Sequence, residues 1–177
     1  MASAFTHAFF AAALGKTYTS ERKPARFWIL AMLCAVLPDA DVVMFRFGVP
    51  YESMFGHRGL THSLAFALAL TLFAVAVFFR EATNKAALVV FFFLATASHG
   101  ALDALTNGGL GVAFFAPFSG ARYFFPFRPL EVSPLSVAGF FSERGLAVIR
   151  SELLWVWLPA SLVVGLVLIF RRLRRSN

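Results

Sequence analysis

The sequence predicts an all-α, polytopic membrane bundle: one domain over residues 1–177, with four or five transmembrane helices and an aromatic-rich external loop. Three observations carry that prediction. Hydrophobic residues make up 59% of the chain and charged ones only 14%, against roughly 25% charged in ordinary soluble domains. Mean hydropathy is +0.75, and 23 residues are Phe. Nine acids and 16 Lys and Arg cannot cover the surface of a soluble domain this small. A disordered chain, a disulfide-stapled secreted domain and a conventional cytosolic enzyme are thereby excluded. The single Cys34 builds neither a disulfide framework nor a Cys-rich zinc site.

Five apolar segments follow in order. The stretch 2–14 is short and ends at Gly15 and Lys16; at ~1.5 Å per residue it reaches about 20 Å, so it either crosses a thinned bilayer or stops short. No basic residue precedes it, which argues against a cleaved signal peptide. The stretches 27–45, 62–79, 86–105 and 153–170 are each close to the ~20 residues that span a bilayer. Rich in Phe, Ala and Leu without strand alternation, they read as helices. Between the last two, residues 106–152 contain Phe114, Phe115, Phe118, Tyr123, Phe124, Phe125 and Phe127, broken by Pro117, Pro126, Pro129 and Pro134. Such a segment cannot be one helix, and it reads as a loop against the membrane surface.

The net charge of +7 does not indicate nucleic acid, because the basic residues sit at the ends of apolar runs. Lys16, Arg22, Lys23 and Arg26 form one group, Arg80 and Lys85 a second, and Arg171, Arg172, Arg174 and Arg175 a third. The positive-inside pattern puts these groups and the C-terminus in the cytoplasm, with 46–61 and 106–152 outside.

All four His (His7, His57, His62, His99) and all three Asp (Asp39, Asp41, Asp103) then fall in one layer beneath the outer surface. Ionisable residues inside a membrane are costly and mark functional sites. His99 and Asp103, four apart, share a helix face. Asp39 and Asp41 converge only if the helix unwinds at Pro38, and Thr61 suits an N-cap. Mixed imidazole and carboxylate ligands favour Zn²⁺, in one or two ions, with Mn²⁺ or Fe²⁺ as alternatives. Arg58, Arg122 and Arg128 are candidate phosphate contacts, because guanidinium matches phosphate oxygens bidentately. Ser63, Ser98, Thr106 and Asn107 are candidate partners orienting the imidazoles.

The strings LPDAD (37–41), HRGLTHS (57–63), SHGALDALTNGG (98–109) and FFAPFSGARYFFPFRPLEVSPLS (114–136) resemble the YdjM-like family, and the aromatic loop resembles its YbcI-type branch. The family is described as bacterial, LexA-regulated, inner-membrane, metal-dependent hydrolases, distantly similar to the zinc-dependent phospholipase C and single-strand nuclease superfamily. No further His follows His99, a departure from that superfamily's ligand order that favours one or two metals over three. The resemblance implies a hydrolase class but no substrate; with the topology above, the expectation is an inner-membrane hydrolase with its site near the periplasmic face, acting on a phosphoester, lipid or lipid-linked. The metal ligands would come from His7, Asp39, Asp41, His57, His62, His99 and Asp103. A spare Asp of the 39/41 pair would serve as general base, and Arg58 would steady transition-state charge. The rival expectations are an ion transporter, or a metal-binding scaffold or stress-response protein without hydrolytic activity.

Overall fold

The computed structural model describes residues 1–19 and 21–176, and its regular structure is helical, with no strand among the described residues. Helix α1 (Ala4–Tyr18) starts at Ser3, whose side chain accepts from the Thr6 amide. Helix α2 (Ala25–Val36) runs directly into a 3₁₀ segment, Leu37–Phe47, which ends at Gly48 with φ 72°. Helix α3 (Leu64–Phe78) is capped by Ser63 and α4 (Lys85–Ala104) by Asn84. The short helix α5 (Val137–Phe140) precedes α6 (Glu143–Glu152), which passes through a π-helical turn at Leu153–Trp157 into α7 (Leu158–Ser176).

Three of these helical stretches are long and apolar enough to cross a membrane: Ala25–Phe47, Lys85–Ala104 and Glu143–Arg175. Helices α1 and α3, at 15 residues each, extend only about 22 Å. The count is thus lower than the four or five expected. Segment 62–79 loses its first residues to a 3₁₀ turn, Leu60–His62. The loop expected over 106–152 also ends earlier, near residue 136, because Ser136 caps α5 and no proline follows Pro134 until Pro159. An apolarity reading stops at Arg150 and Glu152, whereas the helix carries both without interruption.

Two kinds of packing hold the bundle. Toward the basic end, Phe27, Phe79, Phe91 and Phe92 interleave with Ala31, Ala74, Val75 and Leu88 between α2, α3 and α4. Nearer the other end, Ala11 of α1, Ala35 of α2 and Ala95 of α4 meet, all fully buried. Small residues let helix backbones approach closely, and one turn from this alanine layer stand His7 and His99. Helix α7 leaves Leu162, Val163, Leu166, Ile169 and Phe170 more than half exposed. An apolar surface of that extent fits contact with lipid. The loop that follows α4 folds back over the histidine end, burying Val112, Ala113, Ala116 and Leu130. Its backbone joins residues 58–64, with Ala113 N donating to Arg58 O and Leu64 N to Phe114 O, both at 3.0 Å.

Candidate metal centre

All seven His and Asp residues singled out in the sequence lie together. Helix α1 brings His7, the 3₁₀ segment Asp39 and Asp41, the turn before α3 His57 and His62, and α4 His99 and Asp103. The 3₁₀ geometry explains why both aspartates reach the site. Two residues apart they point about 160° from each other on an α-helix, but only about 120° apart at three residues per turn. The chain after Pro38 therefore tightens rather than unwinds, contrary to the sequence expectation.

Four of these side chains approach one another through His62 and His99. His62 Nε2 lies 3.0 Å from His99 Nε2, His99 Nε2 lies 3.3 Å from Asp39 Oδ1, and His62 Nε2 lies 3.6 Å from Asp39 Oδ1 and from Asp103 Oδ2. A tetrahedral shell with metal–ligand bonds of about 2.0–2.1 Å has ligand–ligand edges of roughly 3.3–3.4 Å. The donor set is thus spaced for a divalent ion. Both Asp39 oxygens and Asp103 Oδ2 are buried without a hydrogen-bond partner, a costly condition that a bound cation removes. Asp39, His57, His62 and Asp103 form one group able to hold a metal ion; His7, His99 and Asp103 form a second. Asp103 belongs to both; its Oδ1 accepts from the Ala2 amide at 2.7 Å and faces His7 Nε2 at 3.5 Å, while its Oδ2 faces Arg58 Nε at 3.0 Å and His62 Nε2 at 3.6 Å. The His7 ring stacks on His99 with centroids 3.7 Å apart, and both His7 nitrogens are buried without a hydrogen-bond partner.

Outer contacts aim the imidazoles. His99 Nδ1 is 2.7 Å from the Ala35 carbonyl. Asp41 takes His57 Nδ1 at 2.7 Å on one oxygen, and His62 Nδ1 at 3.2 Å on the other. That second oxygen also accepts from the Arg58 amide at 3.2 Å and the Thr61 hydroxyl at 2.6 Å. A carboxylate on the far nitrogen of a ligating histidine fixes its tautomer and orientation. Asp41 is therefore an organiser of ligands, with no oxygen to spare as a free base. Thr61, expected as an N-cap, serves Asp41 instead, and Ser63 caps α3.

The arginines divide sharply. Arg58 is completely buried and takes φ 63°. Its Nε lies 3.0 Å from Asp103 Oδ2, while its terminal nitrogens donate to the Gly108 carbonyl and Thr106 Oγ1, each at 2.9 Å. A guanidinium so enclosed has no face for a substrate, and the clamp expected from the sequence gives way to a contact that fixes Asp103. Gly109 permits this approach: at φ +87°, a Cβ there would come 2.8 Å from the guanidinium. Arg122 donates to the carbonyls of His57, Tyr51 and Ser53 at 3.0, 2.9 and 3.1 Å. It ties the aromatic loop to the site, and its partial burial lowers its pKa from the ordinary value. Arg128 lies exposed over the Phe124 ring at 4.7 Å. Of the four candidate orienting residues, Thr106 joins the site network through Arg58; Ser63 caps α3, Ser98 bonds the Ala95 carbonyl and Asn107 bonds Glu131.

Sequence reasoning passed over Glu152. It is 3% exposed and accepts from the Ser3 amide, from Ser3 Oγ at 2.6 Å and from Thr6 Oγ1 at 2.8 Å. Trp157 Nε1 also reaches Thr6 Oγ1, at 2.7 Å. The end of α6 and the π-helical turn thereby hold the start of α1, and with it His7. The signal was present: a lone acid at the edge of an apolar run has the same cost as the aspartates.

No solved structure matches the chain. It is 39% identical over 170 residues to the inner membrane protein YbcI of Escherichia coli (strain K12), covering 94% of this chain and 97% of that protein. Residues 1–175 match the YdjM inner membrane protein family. The chain belongs to that family, and the buried His and Asp cluster described here lies within the matched residues.

Proposed function

We propose that this inner-membrane protein is a metal-dependent hydrolase that cleaves a phosphoester, lipid or lipid-linked, at the periplasmic side of the membrane. The observation that carries the reading is Asp103, common to two groups of His and Asp side chains in which both His7 nitrogens and both Asp39 oxygens are buried without a hydrogen-bond partner. Asp39, His62, His99 and Asp103 would hold one ion, with His7 beside them for a second. A divalent ion there supplies Lewis-acid polarisation of a phosphoryl oxygen and activation of water at neutral pH. His57, oriented through Nδ1 by Asp41, is the imidazole placed to take a proton. Asp39 is the least enclosed of these side chains, 8% exposed with both oxygens buried, so the 3₁₀ segment is the side of the site nearest the surface. The periplasmic placement rests on charge: Arg171 donates to the Lys16 carbonyl and Arg26 stacks on Phe79, gathering the three basic groups at one end.

A second reading, a metal-binding scaffold without turnover, is favoured by one observation. His57, His62 and Asp103 of one candidate group and His7, His99 and Asp103 of the other are all buried, as the ligands of closed structural sites are. Detergent-purified protein, stripped with a chelator and reloaded with Zn²⁺ or Mn²⁺, separates the two. The hydrolase reading expects metal-dependent turnover on a panel of phospholipids, prenyl diphosphates and simple phosphodiesters. Stoichiometric metal with no turnover across the panel would move the assignment to the scaffold.

A further inference from the structure

The opposite end of the bundle carries a different kind of site. A cavity of about 470 Å³ lies between the α1–α2 connection and the last turns of α7, and Lys16, Arg22, Lys23, Arg171, Arg172 and Arg175 line it. The one acid on its wall, Glu21, is 2.8 Å from Lys23, which holds the Glu21 carboxyl below its ordinary pKa. The cavity is built into the fold, because Arg171 donates to the carbonyls of Lys16 and Thr17 at 2.9 and 2.6 Å and pins α7 to the end of α1. Cations gathered this closely repel one another, and a bound anion relieves that repulsion.

Adjoining the cavity is an apolar groove of about 370 Å³ between α1 and α7. It is lined by Ala12, Ala13, Val164 and Gly165 among others, and it shares Lys16, Trp28 and Leu168 with the basic cavity. A Cβ added at Gly165 would meet nothing within 4 Å. Trp28, with the Lys16 ammonium 4.8 Å from its ring, stands where head and tail would meet, the level at which tryptophans sit in bilayers. A soluble anion needs only the cavity. A molecule with a phosphate and an acyl chain uses both.

From this juxtaposition we propose that the basic end holds an anionic phospholipid of the surrounding bilayer, its phosphate among the cations and one acyl chain in the groove beneath. The site is separate from the metal centre: His7 and Lys16 lie nine residues apart on α1, about 14 Å along the helix. It therefore stands whether or not the metal centre is catalytic. Basic pockets between helices on the cytoplasmic side are suited to such headgroups.

The test is native mass spectrometry of the full chain in detergent, with equimolar dioleoyl phosphatidylglycerol and phosphatidylcholine. A separate arm adds excess glycerol phosphate. The expected result is preferential retention of phosphatidylglycerol that glycerol phosphate does not displace. Arg22→Gln with Arg175→Gln should lower retention by about five-fold per cation removed, and Gly165→Leu should lower it by filling the groove. Metal content should stay at the wild-type level in both variants. Equal retention of the two lipids, or no change in the arginine double variant, overturns the proposal. Displacement by glycerol phosphate with no effect of Gly165→Leu also overturns it, by leaving an anion site without an acyl groove.

Discussion

Helix α1 carries a histidine near one end and a lysine near the other, and the two ends of the bundle treat charge in opposite ways. Around His7, every ligand side chain is at most 8% exposed, and carboxylates, imidazoles and one guanidinium satisfy or face each other. Around Lys16, the cations Arg22, Arg172 and Arg175 are exposed and surround an open cavity. The packing between follows the same division. Three alanines bring the helices close beneath the histidines, while interleaved phenylalanines fill the basic half. The difference teaches that burial alone does not define a functional charge. At one end charges are fixed by each other, so removing one strands another; at the other, Arg22 and Arg175 are exposed on the cavity wall, so replacing either costs little folding stability.

The sharpest break of that contrast is Asp103→Ala. Removing this carboxylate leaves Arg58 buried without its anionic partner, a condition that costs about 3–5 kcal/mol, and it deletes the ligand common to both groups. Bound metal measured by elemental analysis should fall to background, and thermal unfolding in detergent should shift markedly downward. Wild-type metal content together with an unchanged unfolding temperature would show that the two ends are not different in kind.

Arg58→Lys is expected to act in the same direction and less strongly. A single ammonium cannot reach Asp103, Thr106 and the Gly108 carbonyl together. Stability should drop by about 1–3 kcal/mol, as when buried partners go unsatisfied. Metal affinity should weaken about 10- to 100-fold, as for other losses of outer support. Competition with a chelator measures the second effect. Should turnover fall while affinity and stability stay at wild type, Arg58 touches substrate after all.

Much of this site was legible before any coordinates. Seven titratable residues at one depth in an apolar chain have few reasons to be there, and the structure brings all seven together. What the sequence could not yield is which of them touch the ion. That depends on the hand and pitch of the chain after Pro38: the 3₁₀ winding aims Asp39 at His62 and His99 but lays Asp41 against the far nitrogens of His57 and His62. Glu152 stood out by its cost, but what it binds was illegible for another reason. Its partners Ser3 and Thr6 lie more than 145 residues away in sequence, and no local pattern links them. The helix start at Glu143 was missed because apolarity, not helix propensity, set the boundary.

Arginine burial gives the finest test of the comparison, because the sequence offers Arg58, Arg122 and Arg128 all as phosphate contacts and the fold sets them in three different surroundings. Arg58 is enclosed, Arg122 bridges three carbonyls at the loop edge, and Arg128 is exposed with its guanidinium over Phe124. Arg128→Gln should therefore have the smallest effect of the variants considered. Exposed substitutions away from packed features change stability by about 0.5 kcal/mol or less, and a cation–π contact at the surface adds only about 0.5–1 kcal/mol. Metal content should match wild type, since no ligand or orienting contact involves this side chain. Turnover then becomes the informative readout. Unchanged turnover leaves Arg128 as an interfacial anchor, with Lys as a full substitute because both side chains can snorkel. A large loss of turnover at wild-type metal and stability would instead make the exposed rim, and not the enclosed Arg58, the place where this protein meets a phosphoester.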